Sequence, residues 1–384
     1  MGLRVLVASH TYVVGVNQAK LEAVSAIDGV SVGLLVPKVW KSRDWSRKLS
    51  LDSPPASVWS MASPTWFTGS VGAYMFPPWR AAQAIREFRP DIIQVEQEAA
   101  SLAALEIGCL AAVTKTPLVV FGWENVNKPL PWARRLLRSV VLKLTALYVA
   151  GSEGAAQVAR DWGYQGRAAV LPQLGVDPEL FSSGRRRPRS GQLAVGFVGR
   201  LSHEKGVDLL LRALQSVRES GQEVSGIICG AGPEEANLRR LADDIGLASA
   251  IEWVPAVSHE QVPEILSGIS VLVLPSRSTP SWREQFGHVL IEAMSMGIPV
   301  LGSDCGAIPE VIGRDDLIFP EEDRFSLSRL LGRAASDADW LAEVGRYGER
   351  RVHERYTHAA IARELVALWH AVRERRAAEP MAGE

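Results

Sequence analysis

The stretch Val271-Leu-Val-Leu-Pro275 is an apolar run closed by a proline, and Glu284-Gln-Phe-Gly-His-Val-Leu-Ile-Glu292 and Pro299-Val-Leu-Gly-Ser-Asp-Cys-Gly306 follow it. A run that is apolar at every position predicts a short strand buried on both faces. The glycine within the second stretch then marks the start of a helix of about ten residues. The third stretch opens with another apolar run, so strand, helix and strand follow in order and predict a parallel sheet covered by helices.

The same alternation extends over nearly the whole chain and predicts two parallel sheets with helices on both faces. In the first half the predicted strands are Leu3 to Ser9, Val30 to Val36, Asp91 to Glu96, Pro117 to Trp123, Leu147 to Ser152 and Ala168 to Pro172. In the second half they are Leu193 to Val198, Gly226 to Cys229, Ile251 to Val254, Val271 to Leu274, Val300 to Ser303 and Leu317 to Phe319. The predicted helices between them include Gln18 to Ile27 and Ala99 to Val113. From Lys38 to Pro78 the chain is rich in Ser, Pro and Trp, and we expect long loops with one short helix or strand.

A polar, basic and turn-rich stretch, Ser182-Ser-Gly-Arg-Arg-Arg-Pro-Arg-Ser-Gly191, has the composition of a linker. It predicts a first domain of residues 1–181, a linker of residues 182–191 and a second domain of residues 192–356. Residues 357–384 are predicted as a C-terminal helix with a disordered tail. Since open α/β sheets bind ligands beside the carboxyl ends of their strands, we expect the two domains to face a cleft.

Length and composition are those of a globular protein with two cores. The chain has 384 residues, of which 47% are hydrophobic and 22% charged, and its net charge of −1 gives no reason to expect a nucleic-acid partner. Cys109, Cys229 and Cys305 have no paired spacing, so we expect buried, reduced thiols in a cytoplasmic protein. The start lacks the features of a signal peptide, and no apolar stretch reaches the roughly eighteen residues of a membrane span. The sequence leaves the oligomeric state open.

Two acidic residues, Glu284 and Glu292, flank the predicted helix start at Gly287. Unpaired N–H groups and the helix dipole favour an anion at a helix N-terminus. A phosphate bound there would leave the two carboxylates to accept hydrogen bonds from the vicinal hydroxyls of a sugar or ribose. The pattern therefore fits a nucleoside diphosphate sugar. The alternative is that Glu284 only stabilises the helix start and that Glu292 is solvated surface.

The turn after the predicted strand that ends near Gly199 carries two cations, Arg200 and Lys205. A diphosphate leaving group develops negative charge as a glycosidic bond breaks, and a fixed Arg and Lys stabilise that charge without a metal ion. The alternative is that both side chains are solvated. The seven His have no ligand spacing, and in Asp337-Ala-Asp339 we expect Asp337 to cap a helix rather than bind a metal.

Five motifs of the second half follow one another in a specific order. They are Phe197-Val-Gly-Arg-Leu201 with Lys205-Gly206, Gly230-Ala-Gly-Pro233, Glu284-x7-Glu292, Glu292-Ala-Met-Ser-Met-Gly-Ile-Pro-Val300 and Gly306-x3-Glu310. In this order they resemble the retaining glycosyltransferases of family 4 (glycosyl transferases group 1). The resemblance implies an α/β chain of the GT-B type, with two Rossmann-like parallel-sheet domains facing a cleft. It also implies an acceptor-binding first domain, a nucleotide-sugar-binding second domain and a last helix that packs back on the first.

The resemblance further implies transfer of a hexose-type sugar from a nucleoside diphosphate sugar to a hydroxyl of a glycan, lipid-linked or small-molecule acceptor. The anomeric configuration would be retained, and the nucleotide sugar would be a co-substrate without a metal or other cofactor. The implied catalytic residues are Glu284, Arg200, Lys205 and Glu124. The implied donor-binding residues are Gly15, Gly199, Arg200, Lys205, Gly232, Val254, Glu284, Phe286, Gly287, His288, Val289 and Glu292. Among these, Arg200 and Lys205 would hold the diphosphate, Glu284 the sugar hydroxyls and Glu292 the ribose.

The chain departs from the family pattern at three places. Gly15 stands alone where relatives have two adjacent glycines, Trp123-Glu-Asn125 stands where relatives have a His, and Ala307 replaces a glycine. Glu124 is therefore expected either to contact the donor sugar or to act on the acceptor hydroxyl. Two other function classes stay open, a nucleotide-sugar epimerase on the same fold and a non-catalytic nucleotide-sugar-binding partner.

The stretch Pro131-Trp-Ala-Arg-Arg-Leu-Leu-Arg-Ser-Val-Val-Leu-Lys143 predicts a basic helix in the first half. An ordinary core helix with a solvated basic face is the simpler interpretation. The alternative is peripheral membrane contact at the inner membrane face, where the helix would lie on anionic lipid beside a lipid-linked acceptor.

Overall fold

The computed structural model describes residues 2–42, 47–187 and 192–378. Its contacts group the chain into two units, Met1–Gly175 with His358–Glu384 and Val176–Thr357. The boundary thus lies before the predicted linker. The Arg187 N–H donates to the Ser267 carbonyl (2.9 Å) and the Arg186 guanidinium to the Gly297 carbonyl (3.1 Å), both in the second unit. A turn-rich composition marks a surface loop, but it does not reveal which domain that loop is bonded to.

Fifteen strands are present in the described residues. In chain order they are β1 Leu3–Ala8, β2 Val30–Pro37, β3 Val39–Ser42, β4 Arg47–Ser50, β5 Trp59–Ser63, β6 Ile92–Glu96, β7 Leu118–Gly122, β8 Thr145–Ala150, β9 Arg167–Val170, β10 Leu193–Val198, β11 Val224–Cys229, β12 Ile251–Val254, β13 Val271–Leu274, β14 Val300–Ser303 and β15 Ile318–Phe319. Each predicted strand is confirmed with small shifts at its ends. The region predicted as long loops contains β3 and β4, which form an antiparallel hairpin, and β5.

Thirteen α-helices are present in the same described residues. They are α1 Gly15–Ser25, α2 Pro78–Phe88, α3 Leu102–Val113, α4 Trp132–Leu144, α5 Glu153–Asp161, α6 Val207–Glu219, α7 Glu235–Asp244, α8 Val262–Ser267, α9 His288–Ser295, α10 Ile308–Ile312, α11 Arg324–Ser336, α12 Ala338–Arg355 and α13 His358–Ala378. Helix α13 belongs to the first unit, where Leu365 and Trp369 are buried and the helix packs on α1. The tail predicted beyond it lies outside the described residues.

Each unit contains one parallel sheet. The first has the strand order β5-β2-β1-β6-β7-β8-β9 and the second the order β12-β11-β10-β13-β14-β15. In each sheet, the strands that follow the first one are added on one side of it, and all later strands are added on its other side. The order therefore reverses between β1 and β6 and between β10 and β13, and the carboxyl ends of strands at such a reversal are where open α/β sheets bind ligands.

Candidate functional site

The loops that follow β10 and β13 leave the same edge of the second sheet because the two strands are parallel neighbours. The Lys205 Nζ lies 2.6 Å from the Glu284 Oε2, and the same oxygen accepts a hydrogen bond from the Ser276 hydroxyl at 2.8 Å. The Lys205 side chain is 19% exposed and that of Glu284 8% exposed. The Nζ also lies 4.9 Å from the centre of the Trp282 ring. The structure thus brings the two predicted loop charges together as a pair in which Glu284 is buried and Lys205 is partly exposed.

Glycines hold the backbone of this pair in place. Gly206 has a φ of 66° and Gly306 a φ of 59°, in the left-handed region that favours glycine. A Cβ at Gly206 would collide with the Pro275 carbonyl, and one at Gly306 with the backbone of Glu284. The Ala307 N–H donates to the Glu284 carbonyl at 3.0 Å, so the turn that follows β14 positions Glu284 through its main chain.

Helix α9 begins where the sequence predicted it. Gly287, at φ 82°, is the residue before the helix, and a Cβ there would press on the Leu274 side chain. His288 is the exposed first residue of the helix and Val289 is half-buried. The Phe286 ring lies 4.9 Å from the His288 ring and 5.7 Å from the Tyr356 ring, measured between centres.

Glu292 lies on the second turn of α9 and its side chain is only 13% exposed, so the interpretation of Glu292 as solvated surface is wrong. Burial raises the pKa of Glu292 to about 7. The His259 Nδ1 lies 3.6 Å from the Glu292 Oε1, and burial lowers the pKa of His259. Both shifts favour the uncharged form of each side chain, so this carboxyl is available as an acceptor or a donor near neutral pH.

The glycine motif after β11 packs against the turn that carries Arg200. A Cβ at Gly232 would collide with the Leu201 carbonyl, and the Leu201 N–H donates to the Ala231 carbonyl at 2.9 Å. The Gly199 N–H donates to the Cys229 carbonyl and the Gly230 N–H to the Val254 carbonyl, each at 3.0 Å. These bonds fix the backbone of the turn and leave the Arg200 side chain exposed.

Arg277, three residues after the end of β13, was not predicted as a site residue. Its side chain is buried, with the Nη2 at 2.8 Å from the Asp208 Oδ1 and the Nε at 2.7 Å from the Glu322 Oε1. The Nη1 also lies 3.2 Å from the His203 Nε2. Arg277 thus ties three segments of the second unit around the loop that holds Glu284. Its partners lie far away in the sequence, so no local spacing identifies it.

At the corresponding edge of the first sheet, Glu96 ends β6 and accepts hydrogen bonds from several buried side chains. The Lys20 Nζ lies 2.7 Å from the Glu96 Oε1, and the Tyr12 hydroxyl lies 2.9 Å from the Oε2. The Gln94 and Gln173 amides donate to the same carboxylate at 2.9 Å and 3.0 Å. The Lys20 side chain is 1% exposed and that of Glu96 0% exposed. None of these residues was predicted as a site residue.

Gly15 is the first residue of α1. Its N–H donates to the Asp52 Oδ2 at 2.6 Å, and the Gln18 amide donates to the Asp52 carbonyl at 3.2 Å. A carboxylate of the chain itself thus binds at the helix start where the resemblance implied a contact with the donor.

Glu124 follows β7, and its Oε2 lies 3.0 Å from the Lys128 Nζ. The Glu98 Oε1 accepts hydrogen bonds from the N–H groups of Trp123 (2.6 Å) and Glu124 (2.8 Å). Burial raises the pKa of Glu98 to about 7 in spite of these two bonds. A cavity of about 310 Å³ in the first unit is lined by Val71, Gly72, Glu98, Ala100, Ser101, Glu124, Val126, Lys128, Leu130, Pro131, Arg134 and Trp162.

Helix α4 packs on the core of the first unit and has exposed basic residues, as the simpler interpretation of its sequence predicted, and it also exposes large apolar side chains. Trp132 is 72% exposed and Leu136 60% exposed, and the buried residues of the helix are Val141 and Leu142. The basic residues in the sequence of α4 predict a solvated face, but they do not reveal that an apolar stripe is exposed as well.

Two smaller predictions concern single residues. Asp337 caps α12, since its Oδ1 accepts from the Trp340 N–H at 2.9 Å, which confirms the prediction of a helix cap. Cys229 and Cys305 are buried as predicted, whereas Cys109 is exposed on α3, so that part of the prediction is wrong. The apolar surroundings of Cys109 in the sequence do not reveal which face of α3 it occupies.

Two features are absent from the described parts of the chain. Within residues 2–42, 47–187 and 192–378, no group of three or more His, Cys, Asp or Glu side chains is arranged to hold a metal ion. None of the helices in those ranges combines the length and apolar character that a bilayer-spanning segment requires.

Residues 182–351 match the profile of a protein family described as "Glycosyl transferases group 1". The 2-deoxystreptamine glucosyltransferase of Streptomyces kanamyceticus is 27% identical over 222 residues, which is 56% of this chain and 55% of that protein. The D-inositol 3-phosphate glycosyltransferase of Streptomyces scabiei is 31% identical over 191 residues, or 47% of this chain and 39% of that protein. The chain thus spans about half the length, or less, of these relatives.

Solved structures match over almost the whole chain. A glycosyltransferase from Rickettsia africae superimposes with a TM-score of 0.73 at 14% identity, covering 97% of this chain and 98% of that one. Anabaena HepE in complex with UDP superimposes with a TM-score of 0.69 at 16% identity, covering 97% of this chain and 100% of that one. A further HepE structure contains UDP-glucose. With its two Rossmann-like parallel-sheet domains, the chain has the GT-B fold.

Proposed function

We propose that this protein is a glycosyltransferase that moves a hexose-type sugar from a nucleoside diphosphate sugar to an acceptor hydroxyl, with retention and without a metal ion. The observation that carries the proposal is the Lys205–Glu284 pair at the strand-order reversal of the second sheet. The family match over residues 182–351, which includes both side chains, supports it.

Lys205 and Arg200 supply the positive charge that the leaving group needs. An ammonium has three N–H donors, so Lys205 can keep its bond to Glu284 and still donate to oxygens of a diphosphate. Arg200 is exposed and its backbone is fixed, so its guanidinium can turn toward the same phosphates. Fixed cations stabilise the charge that develops on the diphosphate oxygen as the bond to the sugar breaks.

Glu284 and Glu292 hold the hydroxyls of the donor. The Glu284 carboxylate is fixed by Lys205 and Ser276, and a carboxylate held in this way can accept from sugar hydroxyls. Glu292 lies one helical turn inside α9, where its carboxyl can accept from the vicinal hydroxyls of a ribose. The Gly287 turn leaves the first N–H groups of α9 to the phosphate.

We assign retention of the anomeric configuration to a reaction in which the acceptor oxygen attacks the same face of the sugar from which the diphosphate departs. The bond between the anomeric carbon and the diphosphate oxygen breaks, the acceptor oxygen bonds to the same carbon, and the acceptor proton moves to the departing oxygen. Glu284 is engaged by Lys205 and Ser276, which suits an orienting group better than a nucleophile.

Incubation with a panel of nucleotide sugars, beginning with UDP-glucose, tests the proposal. We expect slow release of free nucleoside diphosphate from one donor, accelerated by a hydroxyl-bearing acceptor, and a product whose anomeric configuration matches that of the donor. A changed sugar on an intact nucleotide would instead identify an epimerase. Tight binding without any turnover across the panel would identify a binding partner and contradict the proposal.

A further inference from the structure

Helix α4 of the first unit exposes an apolar stripe. Trp132 is 72%, Leu136 60% and Val140 37% exposed, and these residues follow one another at intervals of four. Side chains at this spacing lie on one face of an α-helix. A single exposed apolar side chain is ordinary on a protein surface, but an aligned set of three on one helix marks an interaction surface.

All charged residues of helix α4 itself are basic. Helix α4 contains Arg134, Arg135, Arg138 and Lys143 and no acidic residue, although the whole chain has a net charge of −1. Arg135 and Lys143 are exposed. The Arg134 guanidinium is turned inward and donates to the carbonyls of Gly72 and Ala100. The exposed cations beside the apolar stripe therefore face solvent, where they can meet an anionic surface.

The cavity described above lies beside the start of the same helix. Pro131, which precedes α4, and Arg134 within it line the cavity together with the apolar side chains of Val71, Leu130 and Trp162. The volume of about 310 Å³ is at the lower end of the range for small-ligand sites. The carboxyls of Glu98 and Glu124 line it as well, so its lining combines an apolar wall with acceptors for hydroxyl groups.

We infer that the exposed face of α4 docks on the surface of an anionic lipid bilayer, and that the adjoining cavity receives the hydroxyl-bearing end of an acceptor anchored in that bilayer. An apolar stripe with Trp at one end and cations beside it is the pattern of a helix that lies in the membrane interface. Anionic lipid attracts the cations, and the stripe enters the boundary between headgroups and acyl chains.

A second copy of this chain is the less suitable occupant of the stripe. In a two-fold symmetric dimer through α4, the exposed Arg135 and Lys143 of one copy would meet the same cations of the other, and no acidic residue of the helix could compensate. The bilayer docking does not depend on the proposed function, whereas the role given to the cavity rests on it.

Co-sedimentation with vesicles tests the docking surface. We expect the protein to pellet with vesicles of phosphatidylglycerol mixed with phosphatidylcholine and to stay in solution with phosphatidylcholine alone. The double variant Trp132→Glu with Leu136→Glu should weaken the binding at least tenfold, because charged side chains replace two of the three residues that enter the lipid. Arg135→Gln with Lys143→Gln should weaken binding and its dependence on salt.

Phe325→Glu is the matched control, since Phe325 is 69% exposed on α11 of the second unit and should leave vesicle binding unchanged. Equal binding of the wild type and the Trp132/Leu136 variant would overturn the inference, as would a concentration-dependent dimer that the same variant abolishes. Release of nucleoside diphosphate across the donor panel, measured without lipid, keeps the two proposals apart. If vesicle binding is found without release from any donor, the docking surface stands and the proposed function fails.

Discussion

Both sheets carry a lysine–carboxylate pair at the point where their strand order reverses, and the two pairs differ in exposure. In the first unit the Lys20 Nζ lies 2.7 Å from Glu96, and the side chains are 1% and 0% exposed. In the second unit the Lys205 Nζ lies 2.6 Å from Glu284, and the side chains are 19% and 8% exposed. Two lysine–carboxylate pairs at equivalent positions of two similar sheets therefore differ in how far they are exposed to solvent.

The surroundings decide what each pair can do. The Glu96 carboxylate accepts from Lys20, Tyr12, Gln94 and Gln173, so its oxygens are bonded to the protein and water is excluded. The Gln94 carbonyl oxygen in turn accepts from the Trp369 indole at 2.7 Å, which links the cluster to α13. The pair in the first unit is thus a structural element of the core. Lys205 remains partly exposed beside the buried Glu284, so its ammonium can still reach a ligand.

The largest effect is expected from breaking the buried pair. Lys20→Met should lower the free energy of unfolding by about 3–5 kcal/mol, because the Glu96 charge is left buried without its partner. Urea unfolding followed by circular dichroism measures the change. Lys38→Met is the control, because the Lys38 side chain is exposed. A loss of stability no larger than that of the control would mean that the two pairs do not differ in the way described.

The pair of Lys205 and Glu284, whose lysine is partly exposed, should respond more in activity than in stability. Lys205→Ala and Glu284→Ala are each expected to lower kcat about 10²–10³-fold, because in the proposed reaction each side chain acts on the donor in the transition state. Their circular dichroism spectra should stay native. Arg212→Ala, an exposed position on α6, provides the control. Turnover at the wild-type level in either folded variant would refute the assignment of the pair to the donor site.

Glu292 is a carboxyl group whose burial lowers the free energy of unfolding at neutral pH. Its pKa of about 7 in the folded protein is above the ordinary value of 4.5, so the folded state holds a proton that the unfolded state releases between these values. The free energy of unfolding therefore falls as pH rises from about 4.5 to about 7. Glu292→Gln should raise stability by roughly 1–3 kcal/mol above pH 7 and have little effect near pH 4.

The same Glu292→Gln variant should lose affinity for the donor, since a carboxylate no longer accepts from the ribose. Thermal unfolding at two pH values, together with KM for the donor, separates the two effects. Glu354→Gln, at an exposed position on α12, is the control. A variant that is less stable than wild type at every pH would contradict the role of burial.

The smallest effect is expected from chelation. If Lys205 and Arg200 supply the charge that metal-dependent enzymes obtain from a divalent ion, EDTA should leave turnover unchanged within error. Initial rates before and after dialysis against EDTA, with and without added Mg²⁺ or Mn²⁺, measure this. Full loss of turnover on chelation, restored by a divalent ion, would show that the cations of the second unit are not sufficient.

Local patterns predicted the strands well because each buried strand is a continuous apolar run, as in Val271–Leu274. Strand β5 was missed because Trp59–Ser63, at the edge of its sheet, mixes polar and apolar residues. The spacing of Glu284 and Glu292 and the start of α9 were also predictable, since both lie within one loop and one helix.

The contacts that complete the site were not predictable in this way. Arg277 lies 69 residues from Asp208 in the sequence, and Lys20 lies 76 residues from Glu96. Asp52 reaches the start of α1 from 37 residues away. No periodicity connects such positions, because they become neighbours only when separate strands join one sheet.

The sequence by itself determined the alternation of strands and helices, the order of the motifs and the places where charged residues leave the sheets. Only the tertiary structure decided which of two lysine–carboxylate pairs is fully buried and which has a partly exposed lysine, and which apolar residues of α4 remain exposed. The physical reason is that secondary structure follows from local periodicity, whereas exposure depends on which distant segments pack around a side chain.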